Sequence, residues 1–280
     1  MLIRFWGTRG SIPSPGPDTA RYGGNTACVE VVSDAGKRLI FDAGTGARLL
    51  GARMAAETVA AQQLHIFLSH CHWDHVQGLP FFEPLRGTGT QVNFRLPAHM
   101  LTQADRILQT QLDPLFFPIA LQDLRARIVM EAAHEREEID DMSIRSAAVE
   151  HPGGALAYRV CAGDDEGRSV VFAPDSEITK RRRKGSPLER LITGAKILIH
   201  DAMYTEAEYA KRRGWGHSTH LAALDLALKT HVQLLVLFHH DPDRSDAQVD
   251  AIVEECREQA AKHSKELLVL GAYEGLELVV

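Results

Sequence analysis

Four cysteines in 280 residues, with no C-x-x-C among them, exclude a zinc knuckle and a thioredoxin-type redox pair. Cys28, Cys71, Cys161 and Cys256 are too thinly scattered to act as a disulfide scaffold. No apolar run approaches the roughly 18 residues that a membrane-spanning helix needs. The opening segment MLIRFWGTRGS lacks the apolar stretch of a signal peptide. These absences lead us to expect a soluble protein of a reducing cytoplasm. Neither sign of charge dominates. The 31 Lys and Arg residues against 37 Asp and Glu leave a formal net charge of −6. Such a balance advertises no general nucleic-acid or membrane surface. There is also no Gly/Ser linker and no clear repeat, so residues 1–280 read as a single domain.

What is present is enough apolar material for a sizeable core, 45% of the chain. LIRFW, TACVEVVSD, KRLIFDAG, LHIFLS and QVNFRLP read as strands, the second and third joined by a hairpin turn at Ala35-Gly36. ARLLGARMAAETVAA and MLTQADRILQTQL have helical spacing. Pro114 and Pro118 end the helical pattern beyond the second of these. ARIVME, SIRSAAVEH, ALAYRVC and SVVFAPD are further strands. The last third alternates strands and helices: AKILIHD, EAEYAKRR, LAALDLALK, QLLVLFHH, AQVDAIVEECREQAAK and ELLVL. Two β-rich halves with helices outside suggest an α/β (α+β) chain folded as a four-layer αββα sandwich.

The densest chemistry lies where LHIFLS runs into HCHWDH. His70, His72, Asp74 and His75 place four ligand-type side chains in six positions after an apolar strand. Imidazole and carboxylate suit zinc, iron or manganese. Alternation along extended backbone points His70 and His72 to one side. The next turn can aim Asp74 and His75 at a neighbouring position. Cys71 points away from both histidines and reads as a packed bystander.

This motif at a strand end resembles that of the metallo-β-lactamase superfamily, and the resemblance covers nearly the whole chain. It implies an αββα sandwich of the metallo-β-lactamase type with a dinuclear site at one edge, and a metal-dependent hydrolase activity. It also implies three further ligands at strand ends: His151 after SIRSAAVE, Asp175 after SVVFAP, and His239 after QLLVLF. His240 rivals His239, which is preferred because it comes first after the strand. The implied arrangement puts His70, His72 and His151 on one metal, and Asp74, His75 and His239 on the other. Asp175 bridges them, and metal-bound hydroxide is the nucleophile. Zinc is the expected metal, with manganese or iron as alternatives.

RYGGNTACVEV, IFDAGTG and LSHCHWDHVQGLPFF together resemble the phosphodiesterase-like branch, which holds tRNase Z and the class II cyclic-nucleotide phosphodiesterases. AKILIHDAMY followed by GWGHSTH resembles the tRNase Z pattern of an acidic residue and a His-Ser-Thr loop. The resemblance gives His217 the part of general acid or phosphate ligand, oriented by Asp201, where tRNase Z has Glu. With Asp74 these are the expected catalytic residues. A histidine suits the proton donation that a leaving alkoxide requires. The blander reading of His217 is a residue beside the helix caps Ser218 and Thr219. His220 reads as part of the first helical turn.

The long basic arm of tRNase Z is absent, so a small phosphodiester, a cyclic or short linear nucleotide, is expected ahead of extended nucleic acid. A hydrolase of a lactone, thioester or β-lactam is the first alternative, and a non-catalytic sensory or binding protein the second. No membrane partner is expected; a homodimer is admitted. Phe116 and Phe117 either line the mouth of the site or cover the core. The run Lys180–Lys184 reads as a solvated loop before a polyanion site. Asn25, Asp42 and Thr45 are candidate supports for the metal ligands. Arg9 and Arg21 are candidate phosphate contacts.

Overall fold

A computed structural model of the chain describes residues 1–57, 63–179, 185–264 and 266–280. The run Lys180–Lys184 lies outside them.

The first half lays down β1 (Leu2–Gly7), β2 (Cys28–Val32), β3 (Arg38–Phe41), α1 (Gly46–Ala56), β4 (Gln63–Phe67), α2 (Trp73–Val76), β5 (Gln91–Leu96), α3 (Ala104–Gln111) and β6 (Arg127–Ala132). The second half supplies β7 (Arg136–Ile139), β8 (Met142–Val149), β9 (Ala155–Ala162), β10 (Asp165–Ala173), α4 (Pro187–Ile192), β11 (Ile197–Asp201), α5 (Glu206–Tyr209), α6 (His220–Lys229), β12 (Leu234–Phe238), α7 (Asp246–His263) and β13 (Leu268–Gly271). The chain then returns as β14 (Glu277–Val279), antiparallel to β1. Among the described residues this makes two seven-stranded sheets, β14-β1-β2-β3-β4-β5-β6 and β13-β12-β11-β10-β9-β8-β7.

Alternation along the strands sorts the apolar side chains into three layers. In β11, Ile197 and Ile199 face the space between the sheets while Leu198 faces the helices; in β12, Val236 and Phe238 do the former, Leu235 and Leu237 the latter. Phe41, Phe67, Tyr158, Phe172 and Phe238 interlock between the sheets at ring separations of 5.3–5.7 Å. α4, α6 and α7 cover the outside of the second sheet, and α1 and α3 the outside of the first. The result is the expected four-layer αββα sandwich. Among the described residues no helix is long and apolar enough to cross a membrane.

Two sequence expectations shift, and three short elements were not expected. The helix expected over 100–112 begins as a 3-10 turn, Ala98–Gln103, before α3. The described part of the helix expected from 47 ends at Ala56. β7, β14 and α4 are too short to have been recognised from periodicity.

The topology brings chemistry to one edge. β3 and β4 run parallel, as do β10, β11 and β12. β8 shares the direction of β10, because both are antiparallel to β9. Their carboxyl ends therefore open on the same rim, the usual place for a ligand in parallel α/β sheets. Asp42, His70, His151, Asp175, Asp201 and His239 all lie at or just beyond those ends.

Candidate metal centre

The rim gathers donor atoms from distant parts of the chain. His70 Nε2 lies 2.8 Å from His72 Nδ1, which lies 3.0 Å from His151 Nε2. Burial and the neighbouring imidazoles hold all three histidines below their ordinary pKa. They are therefore neutral, with lone pairs that converge. Beside them, Asp74 Oδ2 lies 3.2 Å from His75 Nε2 and 3.1 Å from His239 Nε2. Asp175 spans both groups. Its Oδ1 is 3.1 Å from His75 Nε2 and 3.2 Å from His239 Nε2; its Oδ2 is 3.8 Å from His70 Nε2 and 3.7 Å from His151 Nε2.

This constellation fits a pair of divalent ions. Ligands at about 2.0–2.2 Å from a tetrahedral ion stand roughly 3.3 Å apart, close to the separations found here. Two buried atoms test the fit. His75 Nε2 and Asp175 Oδ1 face each other at 3.1 Å, yet neither makes a hydrogen bond of acceptable geometry. An unmet buried polar atom costs about 1–3 kcal/mol, and a cation between the two would satisfy both. The titration pattern agrees. Burial alone would lower His75, but Asp175, Asp74 and Asp42 outweigh it and raise its pKa well above the usual range. Burial would raise Asp74 and Asp175, but the surrounding imidazoles pull both well below the usual carboxylate range. A proton on His75 is held where positive charge is wanted.

Backbone geometry and outer hydrogen bonds aim these ligands. Asp42 takes a left-handed φ of 57° just after β3, and His239 one of 58° just after β12. Such conformations cost non-glycine residues roughly 1–2 kcal/mol and concentrate at functional sites. Asp42, fully buried, accepts hydrogen bonds from His75 Nδ1 at 2.7 Å, Ser69 N at 2.7 Å and Ser69 Oγ at 2.8 Å. Nδ1 thus keeps its proton on Asp42, so the proton held on Nε2 in the metal-free centre is the one an ion would displace. Ser11 N donates to Asp74 Oδ2 at 2.7 Å, and Gly10 lies so close beneath the His239 ring that a Cβ would fall 2.4 Å from it. His151 Nδ1 donates to the carbonyl of Gly216 at 3.0 Å.

His217 flanks the centre beside His151 and His239. Its Nδ1 is 2.9 Å from Asp201 Oδ2 and 3.8 Å from Asp175 Oδ2, and its ring stacks on His239 at 4.9 Å. Asp201 is fully buried and also accepts from Met203 N. Burial lowers the His217 pKa, but Asp201, Asp175 and Asp74 raise it further, to about 9. Glu177 fixes the loop on which His217 sits: its carboxylate accepts from Tyr209 Oη at 2.7 Å and from the amides of Gly214 and Gly216 at 2.9 Å.

Every residue expected at the metal site is thus brought to one place, and so are His217 and Asp201. His240 turns away, its Nε2 bonded to the carbonyl of Ala272. His220 is more than helix dressing: it is buried and joins α6 to α7 through Glu255 at 2.9 Å. Of the expected supports, only Asp42 touches a ligand. Asn25 binds Glu274, and Thr45 exchanges hydrogen bonds with Thr26. The two arginines do not serve as phosphate contacts. Arg9 is fully buried, and its guanidinium donates to the carbonyls of Gly23, Asp241 and Arg244. Arg21 pairs with Asp250, away from the centre. Phe117 packs on the core and edge-on to Phe81, while Phe116 is exposed. Ser69, Gly10, Ser11, Glu177 and Gly216 escaped sequence reasoning. Only the position of Glu177, two residues after Asp175, offered a signal.

Comparison with known proteins gives a consistent picture. Residues 37–240 match the family model described as the β-lactamase superfamily domain. The chain is 25% identical to a ribonuclease Z of Haloarcula marismortui, over 92% of this chain and 91% of that protein. Its fold superposes on human tRNase Z, short form, with a TM-score of 0.68 at 19% identity, covering 100% of this chain and 99% of the other. The metallo-β-lactamase fold protein YhfI of Bacillus subtilis gives 0.68 at 17% identity, covering 99% and 98%.

Proposed function

Because the chain belongs to the β-lactamase superfamily, in the branch of tRNase Z and related phosphodiesterases, we propose that it cleaves phosphodiester bonds of single-stranded RNA. The coarser statement, a metal-dependent hydrolase acting on phosphodiester bonds, stands on the family and its ribonuclease Z relatives. RNA as substrate is the reading their name favours, and it displaces the small nucleotide expected from the sequence.

His70, His72 and His151 would hold one divalent ion, and Asp74, His75 and His239 the other, with Asp175 reaching both. Zinc is the metal we assign to this all-nitrogen-and-oxygen set. When bound, the ions supply Lewis acidity and a water of lowered pKa. The protein's own contribution is proton delivery. Asp201 holds the Nδ1 proton of His217 and stabilises the imidazolium. At neutral pH His217 therefore carries a proton that Nε2 can give to the leaving oxygen. The carboxylate-paired imidazole beside Asp175 is the observation that carries proton delivery to the leaving group, and the ribonuclease Z relatives favour a phosphodiester over a carboxylic ester or lactam.

One observation favours a smaller substrate as the second reading. The segment 98–126 contains two arginines against three aspartates, and its α3 packs Ala104 and Leu108 into the core instead of projecting. Side-by-side assays with bis-p-nitrophenyl phosphate, a single-stranded RNA oligomer, cyclic AMP, a lactone and nitrocefin separate the readings. RNA and aryl phosphodiester cleavage is expected, and His217→Ala should lower turnover of the RNA about 10²–10⁴-fold with metal content kept. Activity confined to the lactone or nitrocefin refutes the proposal.

A further inference from the structure

The centre opens to solvent at one end of its histidine cluster. The side chains of His70, His75 and His239 are fully buried and those of His151 and His217 are 2% and 11% exposed, whereas His72 is exposed. The rings of His72, His151 and His217 form a row that reaches solvent at His72. His72 and His151 are 4.9 Å apart between ring centroids, and His151 and His217 are 5.4 Å apart.

A tryptophan lies next to each end of the row in the chain. Trp73 follows His72 directly and is 63% exposed; Trp215 precedes His217 by two residues and is 61% exposed. Both sit on rigid supports. Trp73 is the first residue of α2, whose next two residues, Asp74 and His75, are buried in the metal centre. Trp215 lies in the loop that Glu177 pins through the amides on either side of it, those of Gly214 and Gly216. An exposed indole on a fixed backbone offers a large, rigid apolar face with a polar edge. The only other tryptophan, Trp6, is partly buried and donates to Glu30.

We infer that Trp73 and Trp215 are stacking platforms for the two nucleobases that flank the scissile phosphate. The inference rests on the phosphodiesterase reading and sharpens it: the substrate is a linear strand with a base on each side of the cut. Indole faces stack on any base, so the platforms give affinity without sequence preference. The acidic net charge and the absence of a basic arm leave affinity to be found in such apolar contacts. A cyclic nucleotide, with one base, engages only one platform.

The test uses the metal-loaded full chain and two probes of equal length, a phosphorothioate-linked oligoadenylate and its abasic counterpart. Tryptophan fluorescence should be quenched by the first, and the wild type should bind it more tightly than the abasic probe. Trp73→Ala and Trp215→Ala should each raise Kd for oligoadenylate, and KM for the cleavable RNA, about 5–150-fold. Binding of the abasic probe, zinc content and thermal midpoint should stay unchanged. If the wild type binds both probes equally, or if both variants keep wild-type affinity, the inference is overturned. So it is if the substitutions instead convert a dimer to a monomer while binding is unaltered. Cleavage of bis-p-nitrophenyl phosphate by the wild type separates the two levels. With that activity intact and no base discrimination, only the platforms fall. With no phosphodiester cleaved at all, the functional reading falls first.

Discussion

Replacing Asp42 by Asn removes one charge at a position that touches no substrate, yet the geometry around it dictates a loss of metal affinity. The carboxylate accepts three hydrogen bonds, from His75 Nδ1, Ser69 N and Ser69 Oγ, all at 2.7–2.8 Å. Asparagine has one accepting oxygen and one donating NH2. If the NH2 faces His75, Nδ1 must accept, and the imidazole proton moves to Nε2, the atom aimed at Asp74 and Asp175. A metal taking Nε2 would then need the proton on Nδ1, where the NH2 cannot accept it. If the oxygen faces His75 instead, the NH2 confronts the Ser69 amide, donor against donor, in a buried site. Either way the ligand is mis-set. Loss of such an outer partner costs about 10–100-fold in metal affinity, or about 1.4–2.7 kcal/mol. Competition against a chromophoric zinc chelator measures it, with the thermal midpoint of the metal-free variant as the folding control. A folded Asp42→Asn protein that binds two ions within twofold of wild-type affinity would refute the reasoning.

Gly10→Ala should also damage the second ligand group, since its Cβ would fall 2.4 Å from the His239 ring. Zinc stoichiometry should drop from two towards one, and stability by about 1–3 kcal/mol; Gly16→Ala, where the nearest atom is 3.9 Å away, should change neither. The titration of His217 gives a pH prediction. Its folded pKa is raised to about 9, against roughly 6.5 unfolded. Its stabilisation of the metal-free protein is therefore full below about pH 6.5 and is lost as pH rises through 9. The gap in thermal midpoint between the metal-free wild type and His217→Gln should close across that window; a gap constant from pH 6 to 10 would contradict the pairing with Asp201.

His70, His72, Asp74 and His75 were legible because six consecutive residues carry them after an apolar strand, and strand geometry alone separates their directions. His151, Asp175 and His239 are isolated in the chain, and only a family resemblance made them readable. The layers were legible too, because side-chain alternation and helical spacing are local properties. The short elements β7, β14 and α4 were not, since three to six residues cannot display a period.

The amino-acid sequence by itself determined which donors are available, in which order, and on which class of sandwich they sit. The tertiary structure alone decided what each polar side chain faces. Arg9, a cation in a Gly/Pro-rich loop, has the look of an anion contact until burial turns it to three backbone carbonyls. Asp42 and Ser69, Glu177 and Gly216, and Gly10 and His239 meet across 27, 39 and 229 residues of sequence. Hydrogen bonds and close contacts act over about 3 Å of space, not over chain distance. Those pairings therefore exist only once parallel strands bring their carboxyl ends to a common rim.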